Sequence, residues 1–144
     1  MMYKFKFQND SHKRKFTELL KKDDTFYKDC ERMSLFFLLS LDTLENKADK
    51  VYDFDNNWII TEGLDDIYTT SARMLTRLGF NLYNSYKDDF GILDILTSVG
   101  VNNYEYAMIA IDMRINYERY EHEIKEICKE NNISTERRPT IFDV

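Results

Sequence analysis

The scarcity of glycine and proline is the feature that most limits what this chain can fold into. The 144 residues include 4 Gly and 1 Pro. β-Sandwiches and small barrels need many tight turns, which depend on these two residues, so such folds are disfavoured. The same scarcity argues against collagen and against glycine-rich phosphate-binding loops. The length suits one domain with its own hydrophobic core.

Apolar residues recur at helical spacing along most of the chain, which predicts an all-α fold. We expect a single compact domain over residues 1–144, with about five helices. The run from Met33 to Leu41 is apolar on nearly every face and predicts the central buried helix. The first four expected helices run from Asp10 or Ser11 to about Lys22, from about Thr25 to Leu41, from about Thr70 to Tyr86, and from about Ile92 to Val99.

The last helix is predicted to be the longest, from Asn102 or Asn103 to Asn131 or Asn132. About 28 helical residues span roughly 42 Å, more than the width of such a domain. Its second half carries an apolar seam formed by Met113, Tyr117, Tyr120, Ile124 and Ile127. The seam either joins two copies in a helical homodimer or packs on the protein's own first helix. Residues 133–144 are expected to form an irregular tail, unless residues 141–144 dock back on the body.

Negative charge is concentrated in the middle of the chain. The formal net charge is -6, and residues 33–112 carry thirteen acidic and five basic side chains. The densest stretch, residues 42–66, is the least regular: we expect a helical turn over 44–50, a turn over 53–57 and an extended piece at 58–60. The carboxylates predicted to bind a protein partner are Asp42, Glu45, Asp49, Asp53, Asp55, Glu62, Asp65 and Asp66. An acidic face of this kind also suits a basic, nucleic-acid-binding groove on a partner protein.

Neither a metal nor a cofactor is predicted. Asp53, Asp55 and Asn57 begin like a calcium-binding loop, but Trp58 replaces the required glycine and Leu64 the required glutamate. An acidic turn is the simpler interpretation. The histidines lack zinc-site spacing and are expected on the surface, and the cysteines are expected to be reduced core thiols: His12, His122, Cys30 and Cys128.

Catalysis is not predicted either, because neither histidine has an obvious nucleophile near it in the sequence. The start of the third helix instead carries candidate anion ligands: Thr70, Ser71, Arg73 and Arg77. A small phosphate or nucleotide sensor would use such a set. The alternative is a helix cap followed by two arginines that neutralise the acidic stretch at residues 42–66.

Five short stretches, in order along residues 7–114, carry a resemblance to a known family. They are Thr76–Asn84 at the centre, with Phe7–Arg14, Glu31–Arg32, Val51–Phe54 and Tyr106–Arg114. These stretches resemble a family of small uncharacterised helical proteins from low-GC Gram-positive bacteria and their phages and mobile elements. The charged extension after Tyr117 departs from the family pattern. The resemblance implies an all-α, cytoplasmic protein and transfers no catalytic residue.

Together these observations predict a non-enzymatic protein that binds a macromolecular partner through the acidic stretch and an amphipathic helix. The amino-acid composition points to an AT-rich genome, because residues encoded by A/T-rich codons (12 Lys, 12 Ile and 11 Asn) outnumber those encoded by G/C-rich codons (4 Ala, 4 Gly and 1 Pro). The more specific form of this hypothesis is a phage- or mobile-element-encoded modulator or inhibitor of a host bacterial machine, such as a defence system. Without a signal peptide or an apolar span, the expected location is the host cytoplasm. The alternatives are the anion or nucleotide sensor and the structural homodimer.

Overall fold

The first long helix, α1, forms where the sequence predicts it. The computed structural model describes residues 4–136. Helix α1 spans Asp10–Asp23, and the side chain of Asn9 caps it by accepting a hydrogen bond from the backbone N–H of His12. The helix ends where Asp24 adopts the left-handed conformation, with φ of 56°.

Helix α2, Cys30–Leu39, is the central helix of the fold. Every residue from Met33 to Leu39 is buried, which confirms the prediction from the apolar run. The helix begins later than the predicted start at Thr25, and Asp29 caps its first turn. Thr25 lies in the segment before the helix, where its hydroxyl donates to the buried carboxylate of Asp23.

The acidic stretch, residues 42–66, folds into short elements, as its irregular pattern predicts. The expected turn over 53–57 joins two short strands, and Trp58 lies in an extended segment as expected. The strands pair antiparallel, with Tyr52 opposite Ile59. The elements in order are a 3₁₀ turn at Asp42–Leu44, α3 at Ala48–Val51, β1 at Tyr52–Asp53, β2 at Trp58–Ile59 and a second 3₁₀ turn at Thr61–Asp66.

Gly63 brings the second 3₁₀ turn against α3. A Cβ atom at Gly63 would lie 1.8 Å from the backbone carbonyl oxygen of Lys50. Only a residue without a side chain permits this approach. The contact therefore holds the second 3₁₀ turn beside α3, the helix that leads into the hairpin.

Helix α4 spans Thr70–Asn84 and packs along α2. Thr69 caps its start, and it ends at Ser85, which has φ of 64°. A Cβ atom at Gly79 would lie 2.9 Å from Cδ1 of Leu35, so the glycine allows α2 to approach closely. The short helix α5 follows at Ile92–Ser98 and packs on α4.

The predicted long C-terminal helix is divided into two helices, which corrects the expectation of one continuous helix. Helix α6 spans Tyr104–Ile115 and helix α7 spans Glu118–Glu130. The break lies at Asn116, whose φ of -121° and ψ of 47° are not helical. Asn116 donates through Nδ2 to Oδ1 of Asp112 (2.7 Å), and the hydroxyl of Tyr120 donates to Oδ2 of the same carboxylate (2.5 Å). One aspartate thus fastens the start of α7 to α6.

Helix α2 lies at the centre of a single compact helical domain, in contact with α1, α4 and α6. This confirms the all-α prediction, and in the described part of the chain five helices have ten or more residues: α1, α2, α4, α6 and α7. Within residues 4–136, no helix is both long and apolar enough to cross a bilayer. Most of the predicted tail at residues 133–144, including the segment 141–144, lies outside the described residues.

Candidate interaction surface

A buried carboxylate anchors the hairpin to the helical body. The Asp23 side chain is fully buried at the end of α1. It accepts hydrogen bonds from the hydroxyl of Tyr52 (2.5 Å), the hydroxyl of Thr25 (2.5 Å) and Nδ2 of Asn57 (2.7 Å). Burial, followed by the hydrogen bond to Asp23, raises the pKa of Tyr52, so this hydroxyl stays a donor. A buried carboxylate is tolerated only when it is bonded in this way.

Arg32 extends this network from α2 to the hairpin turn. Its Nη2 donates to the backbone carbonyl of Asn57 (2.7 Å), Nη1 to the carboxylate of Asp29 (2.9 Å) and Nε to the hydroxyl of Tyr52 (3.0 Å). The guanidinium also lies over the ring of Tyr83, 5.3 Å from its centroid. The first strand of the hairpin, at Tyr52, and its turn, at Asn57, are therefore both bonded to side chains of α1 and α2, and Tyr83 of α4 packs on Arg32.

The network presents Trp58 to solvent in a fixed position. Trp58, the only tryptophan of the sequence, is 55% exposed, although tryptophan side chains are highly buried on average. Its ring meets that of Tyr83 edge-on, at 5.4 Å between centroids. Sequence reasoning missed this pairing. One signal for it was present in the sequence: the only tryptophan directly follows the polar turn at residues 53–57, a place where a buried side chain is not expected.

Two of the eight predicted partner-binding carboxylates each accept three hydrogen bonds from other residues of the protein. Asp42 accepts from Lys15 (2.8 Å), Asn9 (2.8 Å) and Ser11 (2.9 Å), and these bonds, led by that from Lys15, lower the pKa of Asp42 to about 2. Asp53 accepts hydrogen bonds within its own turn, first from Asn56, and these lower its pKa. Asp42 and Asp53 therefore contribute to folding of the stretch.

The other six carboxylates are exposed and form no ion pair with any residue of the described range 4–136. They are Glu45, Asp49, Asp55, Glu62, Asp65 and Asp66. Of the two lysines in the stretch, Lys47 lies over the exposed ring of Tyr68, 3.9 Å from its centroid. These six carboxylates together with Trp58 are called the acidic surface below. The six carboxylates outnumber the two lysines of the stretch, so the stretch carries a net negative charge, and it also contains the exposed Trp58.

The four candidate anion ligands on α4 do not converge on one site. The helix is capped by Thr69, which accepts from the backbone N–H of Ala72 (3.2 Å). Arg73 donates to the backbone carbonyls of Leu64 (2.9 Å) and Ile67 (3.1 Å), so it supports the second 3₁₀ turn. Arg77 pairs with Asp88 through Nε (2.7 Å), outside the acidic stretch. Thr70 is exposed and Ser71 half-buried, at the first turn.

The seam predicted for self-association is buried within the molecule. Met113, Tyr120 and Ile124 have no exposed surface, and Ile127 is buried. The ring of Tyr120 packs edge-on against Phe5 of the N-terminal segment, at 5.7 Å. The hydroxyl of Tyr117, the remaining seam residue, donates to the backbone carbonyl of Tyr27. The structure therefore gives no support to this seam as a dimer surface, and it packs on the N-terminal segment before α1 and on the segment between α1 and α2.

His12 is fully buried, so the prediction that it lies on the surface is wrong. Its Nδ1 accepts from the backbone N–H of Gln8 (3.0 Å), which leaves the proton on Nε2 to be donated to the carbonyl of Phe37 (2.7 Å). Burial lowers the pKa of His12 to about 4. Among the cysteines, Cys128 is buried, which raises its pKa to about 11, and Cys30 is half-buried; both are free thiols.

Comparison with known proteins identifies a family but no activity. A model described as a family of unknown function, DUF6075, matches residues 2–131, which is most of the chain. No curated protein and no solved structure matches the sequence.

Proposed function

We propose that this chain, which belongs to the DUF6075 family of unknown function, is a non-enzymatic protein that binds a basic macromolecular partner through the acidic surface. The observation that carries the proposal is the combination of six exposed carboxylates, which form no ion pair with any residue from 4 to 136, with the exposed ring of Trp58. Unpaired like charges repel one another, so a partner that supplies cations lowers the free energy of the surface.

Rigidity supports the same conclusion. A tryptophan held in place before binding loses little conformational freedom when a partner arrives, and tryptophan is enriched among residues that dominate binding energy. The bonds from Asp23 and Arg32 hold the hairpin in this way. A buried charged network contributes little net stability, so we assign to this network the role of holding the hairpin in one conformation.

The chemistry of the surface selects a protein partner with exposed arginine or lysine. Guanidinium groups pair with carboxylates in bidentate fashion and also lie on the face of an indole ring. A nucleic acid would be repelled by the same surface. A partner that itself binds nucleic acid has the required positive groove, and occupying that groove would block its normal ligand.

The biological setting is proposed from composition and from the resemblance described above. The abundance of Lys, Ile and Asn, which are encoded by A/T-rich codons, fits the AT-rich genome of a low-GC bacterium or its phage. A small acidic binding protein in the cytoplasm of such a host would act as a modulator or inhibitor of a host machine, such as a defence system.

Affinity capture with matched variants tests the proposal. The acidic variant removes three carboxylates of the acidic surface, and the control variant removes three exposed glutamates of α7: Asp55→Asn, Glu62→Gln and Asp65→Asn against Glu118→Gln, Glu123→Gln and Glu130→Gln. Both change the net charge equally. We expect a basic protein from a low-GC bacterial lysate to bind the native chain and the control but not the acidic variant. Equal capture by all three proteins would refute the role of the acidic surface.

A further inference from the structure

A cavity of about 760 Å³ lies where four segments meet: the N-terminal segment, the first 3₁₀ turn, the start of α4 and the loop that leads into α6. Its volume lies within the usual range of ligand pockets, about 300–1,000 Å³. Its lining differs from that of most pockets because it is largely polar. Four side-chain amides contribute to it: Gln8, Asn9, Asn102 and Asn103.

The cavity carries no net charge. Among the described residues that line it, Asp42 is the single charged side chain. Lys15 pairs with Asp42 at 2.8 Å and neutralises it. A charged ligand would lose hydration in this cavity without gaining an opposite charge, so the cavity favours an uncharged ligand.

Hydrogen bonds between the lining segments hold the cavity in shape. Gln8 donates through Nε2 to the backbone carbonyl of Asn102 (3.0 Å), which joins the N-terminal segment to the loop before α6. The hydroxyl of Thr43 donates to Oδ1 of Asn103 (3.1 Å), which joins the first 3₁₀ turn to the same loop. Because the lining is ordered before a ligand arrives, binding costs less conformational freedom.

Three groups of the lining keep hydrogen-bonding capacity for a ligand. Within residues 4–136, no other group bonds to the side-chain amide of Asn102 or to the hydroxyls of Ser71 and Tyr106. Asn102 is exposed and the other two are half-buried, so a ligand can reach all three. Oγ of Ser71 lies beside the loop, 3.3 Å from the position of a Cβ atom at Gly100. Each of the three groups both donates and accepts.

A ligand rich in hydroxyl groups matches this lining. A sugar hydroxyl both donates and accepts, so it pairs with an amide or another hydroxyl in either direction. Val101, which is 91% exposed, and Tyr106 add an apolar part for the C–H groups of a sugar ring. A nucleobase fits less well, because it would stack on an aromatic face and the ammonium of Lys6 already lies over the Tyr106 ring, 6.0 Å from its centroid.

We propose that this cavity, termed the amide cavity (Gln8, Ser71, Asn102, Asn103 and Tyr106), binds an uncharged saccharide. The amide of Asn102 and the hydroxyl of Ser71 form hydrogen bonds to hydroxyl groups of the sugar. The amide cavity shares no residue with the acidic surface, so this proposal does not depend on the proposed function.

A glycan array probed with the labelled full chain, followed by NMR titration with the glycan that gives the strongest signal, tests this proposal. We expect neutral glycans to bind and to shift the backbone amide signals of residues 8, 71 and 100–103. Asn102→Ala and Ser71→Ala should each raise the dissociation constant about threefold to tenfold, since each removes one hydrogen-bonding group. Thr70→Ala is the matched control, because Thr70 is exposed beside Ser71 but does not line the cavity, and it should bind as the native chain does.

Three results would overturn the proposal: no neutral glycan binds, sialylated glycans bind better than their neutral counterparts, or Asn102→Ala and Ser71→Ala both keep the native affinity. The acidic variant described above separates the two sites. If it binds the glycan as tightly as the native chain, the amide cavity is supported independently of the acidic surface. If it loses the glycan while Asn102→Ala retains it, the glycan binds elsewhere and the amide cavity is not the site.

Discussion

The neutral, buried His12 makes a specific prediction about stability against pH. Its pKa is lowered to about 4 in the folded protein by burial, against an ordinary value of 6.5. Protonation would force Nδ1 to become a donor, facing the backbone N–H of Gln8 that now donates to it at 3.0 Å. Lowering the pH therefore favours the unfolded chain, whose histidine accepts a proton more readily.

The sign and size follow from these two pKa values. Between pH 6.5 and about 4 the unfolded state binds more protons than the folded state, so the free energy of unfolding falls as the pH falls. Each unit of pKa difference corresponds to about 1.36 kcal/mol, which gives a loss of about 2.5 kcal/mol by about pH 4.5. Above pH 6.5 the histidine contributes no further change.

Urea unfolding followed by circular dichroism at several pH values between 7 and 4.5 measures this loss. His12→Phe should remove most of the slope, although it lowers stability at neutral pH by deleting two hydrogen bonds. His122→Gln, an exposed position on α7, is the control and should retain the slope. A free energy of unfolding that stays constant between pH 6.5 and 4.5, or a slope that persists in His12→Phe, would refute the reasoning.

Two further predictions concern the hairpin and the second 3₁₀ turn. Asp23→Asn leaves an amide where Tyr52 and two other donors need an acceptor, so it should destabilise the fold by about 3 kcal/mol in urea unfolding; a loss below about 0.5 kcal/mol would mean that the network does not anchor the hairpin. Gly63→Ala should cost at least about 2 kcal/mol, because its Cβ would lie 1.8 Å from the carbonyl oxygen of Lys50. Gly91→Ala is the matched control, since its nearest neighbour would be 3.7 Å away and little change is expected. Similar melting temperatures for the two alanine variants would contradict the close approach.

The helices were predictable because their signals are local. The apolar run of α2 and the capped, periodic pattern of α4 each lie within one segment, and both helices formed as expected apart from their ends. The break at Asn116 was not predictable from periodicity. The flanking residues have helical spacing, and the chain turns because Asp112 binds Asn116 and Tyr120 together.

The site was only partly predictable, since its decisive contacts join distant segments. Asp23, Arg32 and Asn57 lie in three different segments and show no motif. Asp42 has the same sequence signal as Asp55, yet Lys15 of α1 neutralises it. Which carboxylates remain unpaired depends on packing, and only their concentration in residues 42–66 could be read from the sequence.

Photo-crosslinking from the position of Trp58 tests the central claim most directly. Replacing Trp58 by benzoylphenylalanine places a photoreactive ring at an exposed position of the acidic surface, and the same replacement at Ile115 is the control for an exposed apolar position. On irradiation in a low-GC bacterial host, we predict one dominant covalent adduct with a basic protein from position 58 and none from position 115. No adduct at position 58, or the same adducts from both positions, would contradict the proposal that the acidic surface binds a partner.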